Sequence, residues 1–542
     1  MNAELLTQIN AFSPDSAAEA KAKALLIRLL AERGDRLFQR ESEDIHITVS
    51  AMILDPSLQQ TLMVFHHIYR SFCWTGGHAD GEQDLLAVAL REAGEETGAA
   101  ELYPLSGAIL SIDLLPVPAH EKYGKAVAAH KHITITYGLI ADTAQKLAIK
   151  ADENSAVAWL PADELSTHCS EAHMLPIYDK LLQRMRRMVA EKESCLSALP
   201  ELLLPWYAAH ARPLPWRQDH QPYHVWLSEI MLQQTRVEAV KRYYSRFIAS
   251  LPNIRALAEA PEDALFKLWE GLGYYSRARN LQRAARQICT QHNGCFPQDY
   301  VTIRALPGIG DYTAGAICSI CFDQTTPAVD GNVLRLLSRL REDFRCSDLP
   351  AIKKEAFHLL QPLYCRNPGH RSELTQGLME IGATVCLPKG RPHCEICPLQ
   401  KICLAYRSHS ADRLPLRSRK RPRRNEMLTV FLLQLTDGRI AVRRRPAQGL
   451  LAAMWELPNL NSMLNDQAAL QQAHLWGVQP QAMRAAIQRN HIFTHIEWQM
   501  TCYHIICAHA AAGFTWASAQ QLEGEIALPS AFRQFLTAAG LA

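Results

Sequence analysis

Four cysteines, Cys386, Cys394, Cys397 and Cys403, constrain this chain more than any other feature; their spacing is Cys-x7-Cys-x2-Cys-x5-Cys. Thiolates this close in sequence can all reach one metal centre, and four-thiolate sites suit an iron–sulfur cluster or zinc. Upstream stands Leu306-Pro307-Gly308-Ile309-Gly310, a tight turn, followed by helix-like Tyr312-Thr313-Ala314-Gly315-Ala316-Ile317. Such a turn offers backbone amides at a helix N-terminus, where a phosphate can dock. Val329-Asp330-Gly331-Asn332-Val333 lies between turn and cysteines. Together these features point at DNA.

A chain of 542 residues is too long for one core and predicts three or four domains. Its net charge is only +3, so a nucleic-acid surface must be local. Met1-Asn2-Ala3-Glu4 opens no signal peptide and no apolar run reaches membrane-spanning length, so no membrane partner is expected. The other cysteines among the 15 are scattered and read as reduced thiols of a cytoplasmic protein.

The pattern along the chain divides it further. Residues 1–43 read as a helical segment. Residues 44–192 mix β-branched strand runs with a helix over 84–97, an α+β domain. Residues 195–406 are almost all helical. Residues 407–426 carry Arg407, Arg413, Arg417, Arg419, Lys420, Arg421, Arg423 and Arg424 against Asp412, with Pro415 and Pro422. That stretch reads as an exposed linker, either a solvated tether or a DNA-backbone contact. Strand signals return from Leu428 and give a second α+β domain over 427–542.

The first chemical motif is Gly77-x5-Gln83-x7-Arg91-Glu92-x2-Glu95-Glu96-x-Gly98. Glu92, Glu95 and Glu96 fall at i, i+3 and i+4 and crowd one helical face. Alone, such a trio is a solvated acidic face. In this spacing it calls for a hard divalent cation, Mg²⁺ or Mn²⁺, whose oxygen ligands are carboxylates of this kind. The stretch resembles a Nudix hydrolase, over about 44–190, including Trp159-Leu160-Pro161. The resemblance implies that Gly77, Glu92, Glu95 and Glu96 form the metal site and that a nucleoside diphosphate derivative is hydrolysed. The first Glu of the family's box falls on Gln83, with Glu82 beside it. A non-catalytic binding module is the alternative.

The helical region carries Leu214-Pro215-Trp216-Arg217, then Trp226 to Thr235 with Glu229 inside it, then Gly271-Leu272-Gly273-Tyr274-Tyr275. An enzyme that works on a base in duplex DNA must extrude it. Leu232, Gln234 and Tyr274 could fill the gap, and the turn with Leu306, Gly308 and Gly310 could grip phosphate. Glu229 and Asp330 are two carboxylates able to divide acid–base work. Singly, each has a bland reading: a surface Glu, a helix-capping Asp, core aromatics.

In this order, with the cysteines, the region resembles the bacterial MutY-type adenine DNA glycosylases of the helix-hairpin-helix superfamily, over about 203–542. The resemblance implies that Glu229 protonates adenine N7 and Asp330 stabilises the oxocarbenium-like sugar. Tyr312 stands where related glycosylase-lyases carry a Schiff-base lysine, which implies a monofunctional enzyme. Trp216, Arg217, Leu232, Gln233, Gln234, Tyr274, Leu306, Gly308 and Gly310 are the implied DNA contacts. The cysteines match the family's [4Fe-4S] site, with seven residues in the first gap where the pattern has six. Phe493-Thr494-His495 matches the loop that reads 8-oxoguanine in a C-terminal Nudix-like domain lacking the box. The implied substrate is double-stranded DNA with 8-oxoguanine:adenine mispairs, met by a monomer in the bacterial cytoplasm at the nucleoid.

Overall fold

The computed structural model describes residues 3–40, 44–122, 125–418 and 422–541. It divides into two compact units, Met1–Ala211 with Val329–Ser418, and Arg212–Ala328 with Arg419–Ala542. The helical region expected over 195–406 therefore contributes to both. Among the described residues no helix is long and apolar enough to cross a membrane.

In the first unit a mixed sheet is built around the parallel pair Ile45–Leu54 and His130–Ala141. Every residue of Ile45–Leu54 is buried, as a parallel strand covered on both faces requires. Antiparallel strands flank the pair: Gln60–His66 and Thr75–His78 against the first, Leu102–Pro104 and Ser111–Val117 against the second. One face buries Ile45, Ile47, Val49, Ile133 and Ile135 against the helices Ala17–Arg33 and Leu85–Thr97. The other buries Met52, Leu54 and Met63 against Tyr178, Leu181 and Met185 of the helix Leu175–His210. Two helices are pinned across the sheet by ions: Glu19 accepts from Arg184 Nη1 and Nη2 at 2.7 and 2.5 Å, and Lys180 pairs with Glu19 and Asp113.

The boundary expected near 192–195 falls inside Leu175–His210, which runs 36 residues and passes Pro200 and Pro205 without ending. Its first half covers the sheet. Its second half, with Leu196, Leu199 and Leu203, forms a separate core with the helices Gly331–Leu340, Pro350–Arg366 and Arg371–Thr384. Buried Glu342 ties the two parts together: its carboxylate accepts from Ser106 Oγ at 2.6 Å, Gly107 N at 3.2 Å, Ser408 Oγ and Ser410 Oγ.

The linker is less free than its composition suggests. Ala411 and Leu414 are buried with Phe344 and Ala405, and Arg339 Nε donates to the Leu414 carbonyl. Ser418 N donates to Asp348 at 3.0 Å. A few apolar residues among the charges suffice to dock 410–418; Arg419, Lys420 and Arg421 lie outside the described residues.

In the second unit, seven helices between Pro222 and Phe322 precede a sheet that repeats the first. Its centre is again a parallel pair, Arg424–Leu435 with Ile496–Cys507. This α+β domain docks on the helices Glu262–Trp269 and Ser276–Gln291. Arg533 reaches Glu270 at 2.6 Å, Lys267 donates to the carbonyls of Leu522 and Ile526, and Arg279 donates to the Ala452 carbonyl. The expected order of an α+β domain, an all-α region and a second α+β domain is therefore the order found.

Candidate functional site

Glu229 sits in the helix Pro222–Leu232, only 5% exposed, in an apolar setting made by Trp226, Leu227 and Ile230. Burying a carboxyl costs free energy unless it is hydrogen-bonded. Here the hydroxyl of Tyr312, from the first turn of Asp311–Phe322, donates to Glu229 Oε2. The arrangement is a carboxyl held in one orientation, away from bulk water, by a phenol.

The helix ends at Leu232, and Arg277 holds that end. Its Nη1 donates to the carbonyls of Ile230, Met231 and Gln233 at 2.8, 3.2 and 2.6 Å, and its Nη2 to those of Leu272 and Gly273 at 3.0 and 3.2 Å. Burial pushes this guanidinium down to about 10. One cation thus satisfies carbonyls left over by the helix C-terminus and by the Gly271–Gly273 loop. Both segments then turn sharply. Gln234 and Tyr274 adopt φ values of 60° and 48°, uncommon for side-chain-bearing residues, and both are exposed. Tyr274 is 47% exposed and its hydroxyl lies 3.2 Å from Thr494 Oγ1.

Of the residues expected at a DNA surface, Arg217, Leu232 and Gln233 are half-buried and Gln234 and Tyr274 exposed. One is corrected. Trp216, 6% exposed, packs edge-on against Tyr244 with ring centroids 5.4 Å apart, so it offers no face to a duplex. Leu306 is buried beneath its turn, where the expected grip on phosphate belongs to backbone amides and not to its side chain. Gly308 is at φ 78°, and a Cβ there would stand 2.7 Å from Asn280 Cβ. The turn joining Tyr300–Ala305 to Asp311–Phe322 therefore needs glycine on both backbone and packing grounds.

In the C-terminal domain Phe493 packs against His491 and Trp498, at 4.7 and 4.9 Å. It anchors a loop whose next two residues, Thr494 and His495, are exposed.

In the first unit Asp330 caps the helix Gly331–Leu340, accepting from Asn332 N, Val333 N and Asn332 Nδ2 at 2.9, 2.8 and 2.7 Å. Burial raises its carboxyl above the ordinary range, against the pull of those donors. The same helix supports the cysteine loop: Arg335 Nε donates to the Cys386 carbonyl, and Arg339 Nη1 lies 3.2 Å from Cys386 Sγ. The extra residue in 387–393 is absorbed in a loop closed on one oxygen, the Val385 carbonyl, which accepts from Leu387 N and His393 N. Burial lifts the Cys397 and Cys403 thiols to about 12, and the neighbouring cysteines add to the rise. Four thiols that influence one another's charge, one of them beside a guanidinium, fit a group that binds thiolates.

The carboxylate helix Leu85–Thr97 starts on Asp84 and stops at Gly98. It points Glu92 and Glu96 at the backbone of the strand Thr75–His78. Gly76 N donates to Glu96 Oε2 at 3.3 Å, and a Cβ at Gly77 would collide with the Glu92 carboxylate. Burial raises Glu96 to about 8, and the charges of Glu153 and Glu92 push the same way. Glu153 is a fourth carboxylate that the sequence spacing did not single out, because it comes from 57 residues further along the chain than Glu96. Lys150 stands 2.9 Å from Glu153 and 3.8 Å from Glu95. Carboxylates that raise one another's proton affinity beside a glycine that leaves room for one of them suit a hard divalent cation. Gln83 is apart from it, donating to Asp35 at 3.0 Å, while Glu82 pairs with Arg91. The departure at 83 removes no carboxylate from the cluster.

Comparison with known proteins agrees with this division. The HhH-GPD superfamily of base excision DNA repair proteins matches residues 227–351, and the NUDIX domain matches 44–184 and, in a second form, 429–538. Adenine DNA glycosylase of Mus musculus is 33% identical over 390 residues, 61% of this chain and 75% of the mouse protein. That of Schizosaccharomyces pombe is 32% identical over 400 residues, 60% of this chain and 85% of its own. A solved thermostable thymine-DNA glycosylase is 27% identical and covers 39% of this chain and 97% of its own, at a TM-score of 0.36.

Proposed function

The chain belongs to the adenine DNA glycosylase family, and on that premise we propose that it excises adenine opposite 8-oxoguanine in duplex DNA while its N-terminal Nudix domain hydrolyses a nucleoside diphosphate derivative. The observation that carries the first part is the buried Glu229 carboxyl under the Tyr312 hydroxyl. An extruded adenine leaves when N7 is protonated, and a positioned carboxylic acid supplies that proton. Tyr312 keeps the acid oriented. It has no amine with which to form a Schiff base, which supports hydrolysis by water without strand cleavage. Asp330, held by its two backbone donors, supports the positive charge that grows on the sugar as the bond breaks.

Cys386, Cys394, Cys397 and Cys403 would hold a [4Fe-4S] cluster, which would tie the 386–403 loop to itself, while Arg335 and Arg339 join that loop to their helix. Exposed Thr494 and His495, anchored by Phe493, support recognition of the oxidised guanine. In the Nudix domain Glu92, Glu95 and Glu96, with Glu153 nearby, would hold Mg²⁺ or Mn²⁺. The ion supplies charge neutralisation for a diphosphate and activates water. The residues' own part is geometric: Gly77 leaves room for the Glu92 carboxylate, and Glu96 is oriented by Gly76 N.

Full-length protein with Glu229→Gln, assayed in single turnover on an 8-oxoguanine:adenine duplex, tests the proposal. Loss of at least about 100-fold in excision rate with mispair binding retained is expected. Near-parental excision overturns it.

A further inference from the structure

A parallel strand pair buried on both faces is ordinarily a continuous apolar run. The pair Ile45–Leu54 and His130–Ala141 departs from this on one face, toward one end. There the inward side chains are Thr48 and Thr134, whose hydroxyls lie 2.9 Å apart, and beyond them histidines. His46 and His132 are register partners. His130 is two residues earlier on the same strand and so on the same face. His78 projects from Thr75–His78, where it pairs with Thr48. Ring centroids are 4.7 Å apart for His46 and His132, 4.9 Å for His130 and His132, and 5.1 Å from His46 to both His130 and His78.

The tautomer of one neutral ring follows from its neighbour. His130 Nδ1 lies 2.9 Å from the Ala128 carbonyl. A carbonyl only accepts, so Nδ1 carries the hydrogen and Nε2 of the neutral ring carries the lone pair. That Nε2 lies 3.0 Å from His132 Nε2. An imidazole whose far nitrogen donates to a carbonyl while its near nitrogen faces other imidazoles has the outer-sphere arrangement of a metal-ligating histidine. Ligand nitrogens of His46, His130 and His132 already lie within 4.8 Å of one another. A tetrahedral zinc, with Zn–N of about 2.0–2.1 Å, needs about 3.3 Å between them. Small rotations of rings on fixed strands close that gap.

We propose that His46, His130 and His132 form a binding site for a borderline divalent cation of the zinc class, with His78 beside it as the fourth imidazole. Neutral imidazole favours zinc, copper or nickel and not the hard ions that carboxylates take. The strand Thr75–His78 would thus border two proposed cation sites of opposite preference. Gly77 backs the carboxylates and the very next residue, His78, borders the imidazoles. A cation here would bind together the strands Ile45–Leu54, Thr75–His78 and His130–Ala141.

The test uses the full-length, iron-loaded protein in excess Mg²⁺, so that the carboxylates are occupied by a hard ion. Co²⁺ serves as the coloured probe of a zinc-class site, with iron content followed throughout. One equivalent of Co²⁺ should bind with the visible bands of a nitrogen-rich four-coordinate site. His130→Asn, at the half-buried ligand, should weaken it about 100-fold or more, beyond the cost of losing an outer-sphere partner. His46→Asn should do the same, and metal-free thermal unfolding of each variant against metal-free parent separates lost ligation from lost folding. Equal Co²⁺ uptake by the parent and the folded His130→Asn variant overturns the site, as does no uptake by the parent at micromolar Co²⁺.

Discussion

The hydroxyls of Tyr274 and Thr494 lie 3.2 Å apart, although 220 residues separate them in sequence. One belongs to the loop that follows Gly273 in the helical region, the other to the C-terminal domain. The domain carrying Thr494 is fixed to the helices by Glu270–Arg533, Lys267 and Arg279, so the contact follows from docking of folded parts and not from loop flexibility. Removing it should lower discrimination between 8-oxoguanine and guanine opposite adenine. Thr494→Val and Tyr274→Phe should each cost about 0.5–1.5 kcal/mol of that discrimination, the net worth of a hydrogen bond. In a double-mutant cycle the effects should fall short of additive, since both variants remove one contact. Single-turnover rates on the two duplexes measure it; strict additivity would show the residues acting separately.

Arg277→Lys should impair excision without touching the reacting groups. Lysine brings three donors on one atom and cannot span carbonyls on two segments as the guanidinium fork does. Several buried carbonyls would lose their partner, at roughly 1–3 kcal/mol each. The expected result is a lower excision rate and faster amide exchange at 230–234 and 272–274. Unchanged exchange in both segments would show that Arg277 is not what holds them.

Gly77→Ala should weaken Mg²⁺ binding by the Nudix domain about 10–100-fold, as misoriented ligands do, because its Cβ enters the space of the Glu92 carboxylate. Adenine excision should stay at the parental rate. Isothermal titration with Mg²⁺ reads the first and the mispair assay the second. Parental Mg²⁺ affinity would mean that Glu92 is not a ligand.

Acid should loosen the first unit at a defined place. Glu19 is pushed upward by burial, but Arg184, Asp15 N, Lys180 and Ser111 outweigh that and hold it at about 2, below its ordinary 4.5. A carboxyl depressed in the folded state stabilises above the ordinary value, and that stability is lost as pH falls from about 4.5 toward 2. Amide exchange in Ser111–Val117 and Leu175–His210, relative to the intrinsic rate at each pH, should accelerate over that window. Glu19→Gln should accelerate it already at neutral pH, since it leaves Arg184 and Lys180 short of charge; breaking such a buried pair costs about 3–5 kcal/mol. Protection in the parent that is unchanged between pH 4.5 and 2, after the intrinsic rate at each pH is divided out, would contradict the assignment.

What could be read from the sequence was whatever chemistry is local. Three glutamates at helical spacing, four cysteines within one loop and a glycine turn before a helix each declare themselves within a few residues. The structure puts the three glutamates on one helix and closes the residues after Cys386 on the Val385 carbonyl. Partners brought from afar were not legible. Glu153 influences the helix carboxylates from the turn before Asn154–Pro161, Arg277 reaches the Ile230 carbonyl at the end of the Glu229 helix from 47 residues away, and the histidines meet only through strand register. Trp216 was misjudged because an aromatic residue near a motif looks the same in sequence whether it faces DNA or the core. The docked start of the basic linker was hidden for a similar reason: two buried residues, Ala411 and Leu414, count for more than the charges around them.

The helix Leu175–His210 has a consequence for how this protein could be taken apart. Its turns cover the sheet behind the carboxylates at one end and enter the core beside the cysteine loop at the other. A gene divided where composition changes, near codon 193, would give one product a frayed helix and the other a core open along Leu196, Leu199 and Leu203. A protease that cut this one rod should unsettle the Nudix-matching sheet and the core beside the cysteine loop together.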